Sequence, residues 1–186
     1  MKLGELVKPA LPLVIVAAAA ASLLGYVHTK TRGPIAEQQL KIETDAIGAI
    51  FNTALDSSKE MHVPAGSPVK RAYQVYSGGT LLGYAIFTSP VGYSGPVNMV
   101  VGIGADGVVH GVDILSHTET PGLGANAESP LFTDQFKGKS GALKVTKGAP
   151  GDTDIQAITS ATITSNAVTK GVNDALEFFA LYKRNS

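Results

Sequence analysis

The chain has 186 residues, with 15 Lys plus Arg balanced by 15 Asp plus Glu. No basic run is interleaved with aromatics, so a nucleic-acid partner is excluded. There is no cysteine, which excludes disulfides, thiolate-held iron–sulfur clusters, Cys-ligated zinc and thiol catalysis, so any redox work must come from another cofactor.

Residues 9–27 carry no charge and are mostly apolar, with the alanine run 17–21 at their centre. That is near the roughly 20 residues needed to cross the hydrocarbon of a bilayer. The reading is one spanning helix, with Pro9 and Pro12 in its first turn and Tyr26 at the far interface. A cleaved signal peptide is the competing account, since Lys2 and Lys8 precede small residues; the retained span is the expectation. Lys30 and Arg32 follow the span, so positive charge orients it only weakly. The division is a short cytoplasmic tail at 1–8, a transmembrane helix at 9–28, and one domain at 29–186.

Gly33 and Pro34 are expected to break the helix. Beyond them Ile35, Leu40, Ile47, Ile50, Phe51 and Leu55 recur at helical spacing, which predicts an amphipathic helix with Glu37, Gln38, Gln39, Lys41, Glu43 and Asp45 facing water. Residues 56–68, with two prolines, read as a loop. Strands follow at 72–76 and 81–88 across a Ser-Gly-Gly-Thr hairpin, then at 98–103 and 108–115 across an Asp-Gly turn. Residues 117–130 form a loop, 131–136 a short helix and 143–145 a further strand. Val168, Val172, Ala175, Leu176 and Phe179 mark a final helix, capped by Ser165 or Asn166 and ended by Lys183 and Arg184. Helices flanking an antiparallel sheet make the fold class α+β.

Before that last helix lies a hydroxyl-dense stretch, 154–165, at a helix N-terminus. Free N–H groups and the positive end of the helix dipole gather there, which suits a phosphate. The hydroxyls could equally do no more than cap the helix. In the 117–124 loop, Gly122 and Gly124 allow backbone to approach a flat ring, Pro121 stiffens the chain and Leu123 offers an apolar face. An ordinary surface turn is the alternative. Glu119 is either a buried acceptor or a solvated acid, and His117 is a lone loop histidine without the partners that a metal needs.

Thr159, Ser160, Ala161 and Thr162, with Asp154 upstream, resemble the Ser/Thr-Gly-Ala-Thr site on which flavin transferases attach FMN, with Ser160 where glycine is usual. The run Glu119, Thr120, Pro121, Gly122, Leu123, Gly124 resembles the flavin loop of the same covalent FMN-binding family. Its members include the G subunit of the Rnf electron-transport complex and the C subunit of the sodium-pumping NADH:quinone oxidoreductase. The order of 92–96 (Gly-Tyr-Ser-Gly-Pro), the Asp106-Gly107 turn and the His117 loop is similar to the Rnf branch, as is the helix entry at 32–39.

The resemblance implies FMN held through its phosphate on Thr162, with Thr159, Ser160, Ala161, Glu119, Thr120, Gly122, Leu123 and Gly124 around it and no catalytic side chain. It implies an electron-carrying subunit of a complex that couples electron transfer between NADH and ferredoxin to ion movement. Its partners would be the other membrane subunits, a flavin transferase and the lipid bilayer, with the domain on the periplasmic side of a bacterial inner membrane. The alternatives are the C subunit of the sodium pump and a cofactor-free anchored scaffold. A catalytic nucleophile at Thr162 or Ser160 ranks last, since no positioned base accompanies it.

Overall fold

The computed structural model describes residues 3–53 and 56–185. The chain divides into two units, Met1–Ile42 and Glu43–Ser186.

The first unit is helix. Helix α1 runs Leu3–Phe51, and every described side chain from Pro12 to Ile42 is exposed. The stretch Pro12–Phe51 is long and apolar enough to cross a membrane, with a window of mean hydropathy 1.6. Its few hydroxyls return to the helix backbone: Ser22 donates to the Ala18 carbonyl (2.7 Å) and Thr31 to that of Val27 (2.9 Å). Such bonds leave little polar surface unmet where water is absent.

Two expectations fail in α1. Gly33 and Pro34 do not break it, and Pro9 and Pro12 lie inside it rather than in its first turn. One interior proline costs about 3 kcal/mol relative to alanine, and α1 carries that cost at Pro9, Pro12 and Pro34. The helix stops at Phe51, and Leu55 lies outside the described residues.

The second unit is an antiparallel meander in the order β1-β2-β3-β4-β5, formed by Ser57–Glu60, Val69–Ser77, Thr80–Thr88, Asn98–Gly104 and Val109–Ser116. Residues 56–68 are therefore not all loop. Strand β1 pairs with β2 from Ser57↔Tyr76 to Glu60↔Tyr73, and all four of its side chains are exposed, so no alternation of apolar and polar residues betrays it.

Both faces of the sheet are covered, which is why β3 and β4 read as continuous apolar runs. On one face Tyr84, Ile86, Met99, Val101, Ile103, Val109 and Val112 pack against Val168, Val172, Leu176 and Phe179 of the long helix α3, Thr162–Asn185. On the other, Val75, Ala85, Phe87 and Val100 receive Ala46 and Ile47 from the end of α1, with Ile50 and Phe51 beside them.

Glu43, expected in water, is buried instead. Its carboxylate takes two hydrogen bonds from the Arg71 guanidinium (2.5 and 3.0 Å), and Arg71 lies 4.7 Å above the Phe87 ring. The carboxylate raises the Arg71 pKa against the opposing effect of burial.

Beyond β5 come a 3-10 turn at Gly124–Glu128, the short helix α2 at Pro130–Thr133 and a second 3-10 turn at Asp134–Phe136. Strands β6 (Lys144–Thr146) and β7 (Asp154–Gln156) then pair in parallel, Lys144↔Asp154 to Thr146↔Gln156. The Asn173 side chain fixes this pair to α3: it accepts the Leu143 N–H and donates to the Leu143 carbonyl, both at 2.9 Å. The chain leaves β7 directly into the turn that opens α3.

Candidate functional site

Helix α3 begins at Thr162, so Ser165 and Asn166 are not its caps. Ser165 is fully buried inside the first turn. Its hydroxyl accepts the Ile158 N–H and donates to the Ala161 carbonyl, both at 3.0 Å. This pins the turn ahead of the helix, in which Ser160 has φ of 63°. As first-turn residues, Thr162, Ile163 and Thr164 have N–H groups with no carbonyl of the helix to meet.

These residues help line a cavity of about 550 Å³, together with Tyr93, Glu119, Thr120, Leu123, Gly124, Ser160 and Ala161. The expected residues Ser160, Ala161, Thr162, Glu119, Thr120, Leu123 and Gly124 thus meet at one place. Thr159 sits exposed in the preceding turn and Gly122, with φ of 76°, shapes the loop from outside the lining. Thr162 is half-buried and Thr120 exposed.

Glu119 joins the two stretches that the sequence sets 45 residues apart. It is 6 % exposed, and its Oε2 accepts the Thr164 hydroxyl at 2.6 Å. Oε1 accepts the Ser94 N–H at 2.9 Å. Burial alone would push the carboxyl up. Hydrogen bonds from Thr164 and from the Ser94 and Tyr93 N–H groups, with the His117 imidazole, outweigh it and hold the group below the ordinary carboxylate range. The carboxylate is therefore ionised at neutral pH. His117 stands behind it: Nδ1 accepts the Glu119 N–H at 3.1 Å, and Nε2 lies 3.5 Å from Glu128. Among the described residues no cluster of His, Asp and Glu could hold a metal.

Three lining residues fell outside the expected set: Tyr93, Ile163 and Thr164. Tyr93 belongs to the 92–96 stretch that served only to separate two branches of the family. Its place at the cavity follows from the Ser94 hydrogen bond, a contact across 25 residues. Asp154 lies away from the cavity at the head of β7, where it accepts the Gly151 N–H at 3.1 Å.

The arrangement suits a phosphorylated planar ligand. The volume falls in the roughly 300–1,000 Å³ range of small-molecule sites. The helix N-terminus offers unpaired donors to a phosphate, and Tyr93, Leu123 and Ile163 supply aromatic and aliphatic surface.

Residues 92–177 match the model of the FMN-binding domain, a span that opens at the Tyr93 loop and closes within α3. The G subunit of the Na(+)-translocating ferredoxin:NAD(+) oxidoreductase complex of Acetobacterium woodii is 37% identical over 188 residues, covering 92% of this chain and 90% of that one. The G subunit of the proton-translocating ferredoxin:NAD(+) oxidoreductase complex of Clostridium ljungdahlii is 37% identical over 83% of this chain and 81% of its own length. The chain belongs to this G-subunit family. A third member, the G subunit of an ion-translocating oxidoreductase complex from Methanosarcina acetivorans, is 32% identical over 94% of each chain.

The fold of this G-subunit family member is also that of solved relatives. The C subunit of the Na(+)-translocating NADH-quinone reductase from Parabacteroides distasonis superposes with a TM-score of 0.57 at 18% identity, covering 76% of this chain and 94% of that one. NqrC of Shewanella oneidensis gives 0.53 at 21% identity, over 64% of each chain.

Proposed function

We propose that the chain is a membrane-anchored flavoprotein that carries FMN esterified through its phosphate to Thr162. It relays electrons as one subunit of an Rnf-type complex that couples electron transfer between NADH and ferredoxin to ion translocation. The observation that carries this reading is the position of Thr162 at the first residue of α3, in the wall of a cavity closed by the 119–124 loop. The match to the FMN-binding domain over both segments supports it, as do the oxidoreductase complexes to which the G-subunit relatives belong.

Bound there, FMN supplies reversible electron acceptance and release. The rest falls to the protein. Thr162 would contribute its hydroxyl oxygen to the ester, losing that proton, while a flavin transferase using FAD would release AMP. With FMN bound, the first-turn N–H groups of α3 would hold its phosphate. Leu123, Ile163 and Tyr93 would exclude water from the ring. No side chain need act as acid or base during turnover. The tether keeps the cofactor at high local concentration at a membrane surface, where a dissociating flavin would be lost by dilution.

Residues 9–28 form the anchor in this reading. The domain at 29–186 lies on the periplasmic side of the inner membrane, beside the other membrane subunits.

The test is the intact mass of the denatured protein made alongside an active flavin transferase. The expected gain is one FMN less one water, with flavin fluorescence surviving denaturation. Thr162→Ala should remove the gain while changing stability by less than about 1 kcal/mol, since a half-exposed hydroxyl contributes little to the core. Retained flavin in that variant would move the site to Thr159 or Thr164. An unmodified wild-type mass would leave the scaffold reading standing.

A further inference from the structure

Building on the reading that this cavity takes flavin, we propose that Tyr93 is the aromatic wall of the site. Glu119 is then the positioning residue that holds Tyr93 there, and not itself a ligand of the flavin.

Both Glu119 oxygens are already engaged within the protein. One oxygen is met by the Ser94 N–H and the other by the Thr164 hydroxyl, and two glycines lie against the group. A Cβ on Gly92 would lie 2.5 Å from its Oε1, and one on Gly124 would lie 2.7 Å from the Thr164 hydroxyl that it binds. Two glycines thus make room for one carboxylate, on which three segments converge: the 89–97 loop, the 117–128 segment and the first turn of α3.

The 89–97 loop is closed upon itself. Gly92 donates to the Gly95 carbonyl (2.8 Å), Val97 donates to that of Pro90 (2.9 Å), and Val91 pairs with Pro96. These bonds fix the loop's own shape. Ser94 ties it to the 117–128 segment twice, by donating its N–H to Glu119 and by accepting the Thr118 hydroxyl at its carbonyl, the latter at 3.2 Å. The charged bond is the stronger of the two.

Tyr93 is next to that tie. It is 72 % exposed, yet it lines the cavity and is the one aromatic among the described residues that do. A ring left in solvent beside a cavity with Leu123 and Ile163 in its lining is shaped to cover a planar heteroaromatic ligand, where stacking would remove its apolar faces from water.

The experiment uses the full chain loaded in cells that contain the transferase and then solubilised in detergent. Flavin mass, fluorescence yield and fluorescence anisotropy are read on each variant. A stacked phenol quenches flavin emission, so Tyr93→Leu should be several-fold brighter than wild type at an unchanged mass gain. Glu119→Ala should brighten likewise and lose anisotropy, although Tyr93 is still present.

Glu119→Gln can still accept the Ser94 N–H and meet the Thr164 hydroxyl, and should return emission and anisotropy to near wild type. Thr164→Val removes one tie without changing shape and should fall between Glu119→Ala and wild type, which decides the matter if Glu119→Ala does not fold.

Unchanged emission in Tyr93→Leu would overturn the aromatic wall. Glu119→Gln as bright as Glu119→Ala would overturn the positioning role, because the amide keeps both hydrogen-bond partners and the effect would then not run through those bonds. Emission in Thr164→Val identical to wild type would also overturn it. A wild-type chain with no added mass would instead overturn the flavin reading itself, a result visible before any variant is measured.

Discussion

Ser160 stands two residues before Thr162 with φ of 63°, a left-handed conformation that costs a residue with a Cβ about 1–2 kcal/mol. The resembled attachment motif carries glycine at this position, and the backbone supplies the reason: the chain must reverse between β7 and α3 within a few residues. Ser160→Gly should therefore stabilise the chain. Glycine gives back about 0.5–1 kcal/mol through its freedom in the unfolded state, so the net gain is about 1 kcal/mol or less, read as a rise of a few degrees in the thermal midpoint. Ser160→Val, β-branched at positive φ, should lower it. A glycine variant less stable than wild type would mean that the serine is not strained. The hydroxyl-rich stretch and the 119–124 loop were legible in the sequence because each is contiguous. The Glu119 bonds to Thr164 and Ser94 were not, since they join residues 45 and 25 positions apart through the fold. Tyr93 was legible only as part of a family marker.

Among the elements, strands β2 to β5 announced themselves through apolar runs broken by Gly-Gly and Asp-Gly turns. Strand β1 did not, because its four residues are polar and exposed, and β7 is three residues long. The end of α1 was legible as helix but not in what it covers. Its Ile50 fits over glycines on the outer face of the sheet: a Cβ on Gly102 would fall inside van der Waals contact of Ile50 and the Phe51 ring, and one on Gly111 would lie 3.4 Å from Ile50. Gly102→Ala should therefore cost about 1–3 kcal/mol through overpacking. Ile50→Ala alone should also destabilise by leaving a void. Combined, the two should cost clearly less than their sum, because the truncated side chain makes room for the new methyl. Thermal unfolding of the four proteins closes the cycle, and strict additivity would refute the contact. Glu43 misled the sequence reading in the same segment. A charged residue at helical spacing reads as solvated until its partner Arg71, 28 residues away, is brought to it.

For the molecule as a whole, the question that composition leaves open is sidedness. Lys2 and Lys8 before the apolar stretch are nearly balanced by Lys30 and Arg32 after it, so charge bias is a weak guide. The chain answers this experimentally because it has no cysteine, and any thiol introduced is the sole site of reaction. Lys147 is exposed in the domain and is not among the residues that line the cavity. Lys147→Cys should leave flavin loading unchanged while presenting a thiol to solvent. If the domain lies on the periplasmic side, a maleimide that crosses the outer but not the inner membrane will label it in intact cells, and prior treatment with a small permeant thiol reagent will block it. A cysteine added in the tail at Lys2 should react only after the inner membrane is opened. The reverse pattern would place the domain and its electron relay in the cytoplasm. Labelling of both positions in intact cells would mean that residues 9–28 do not span the membrane at all.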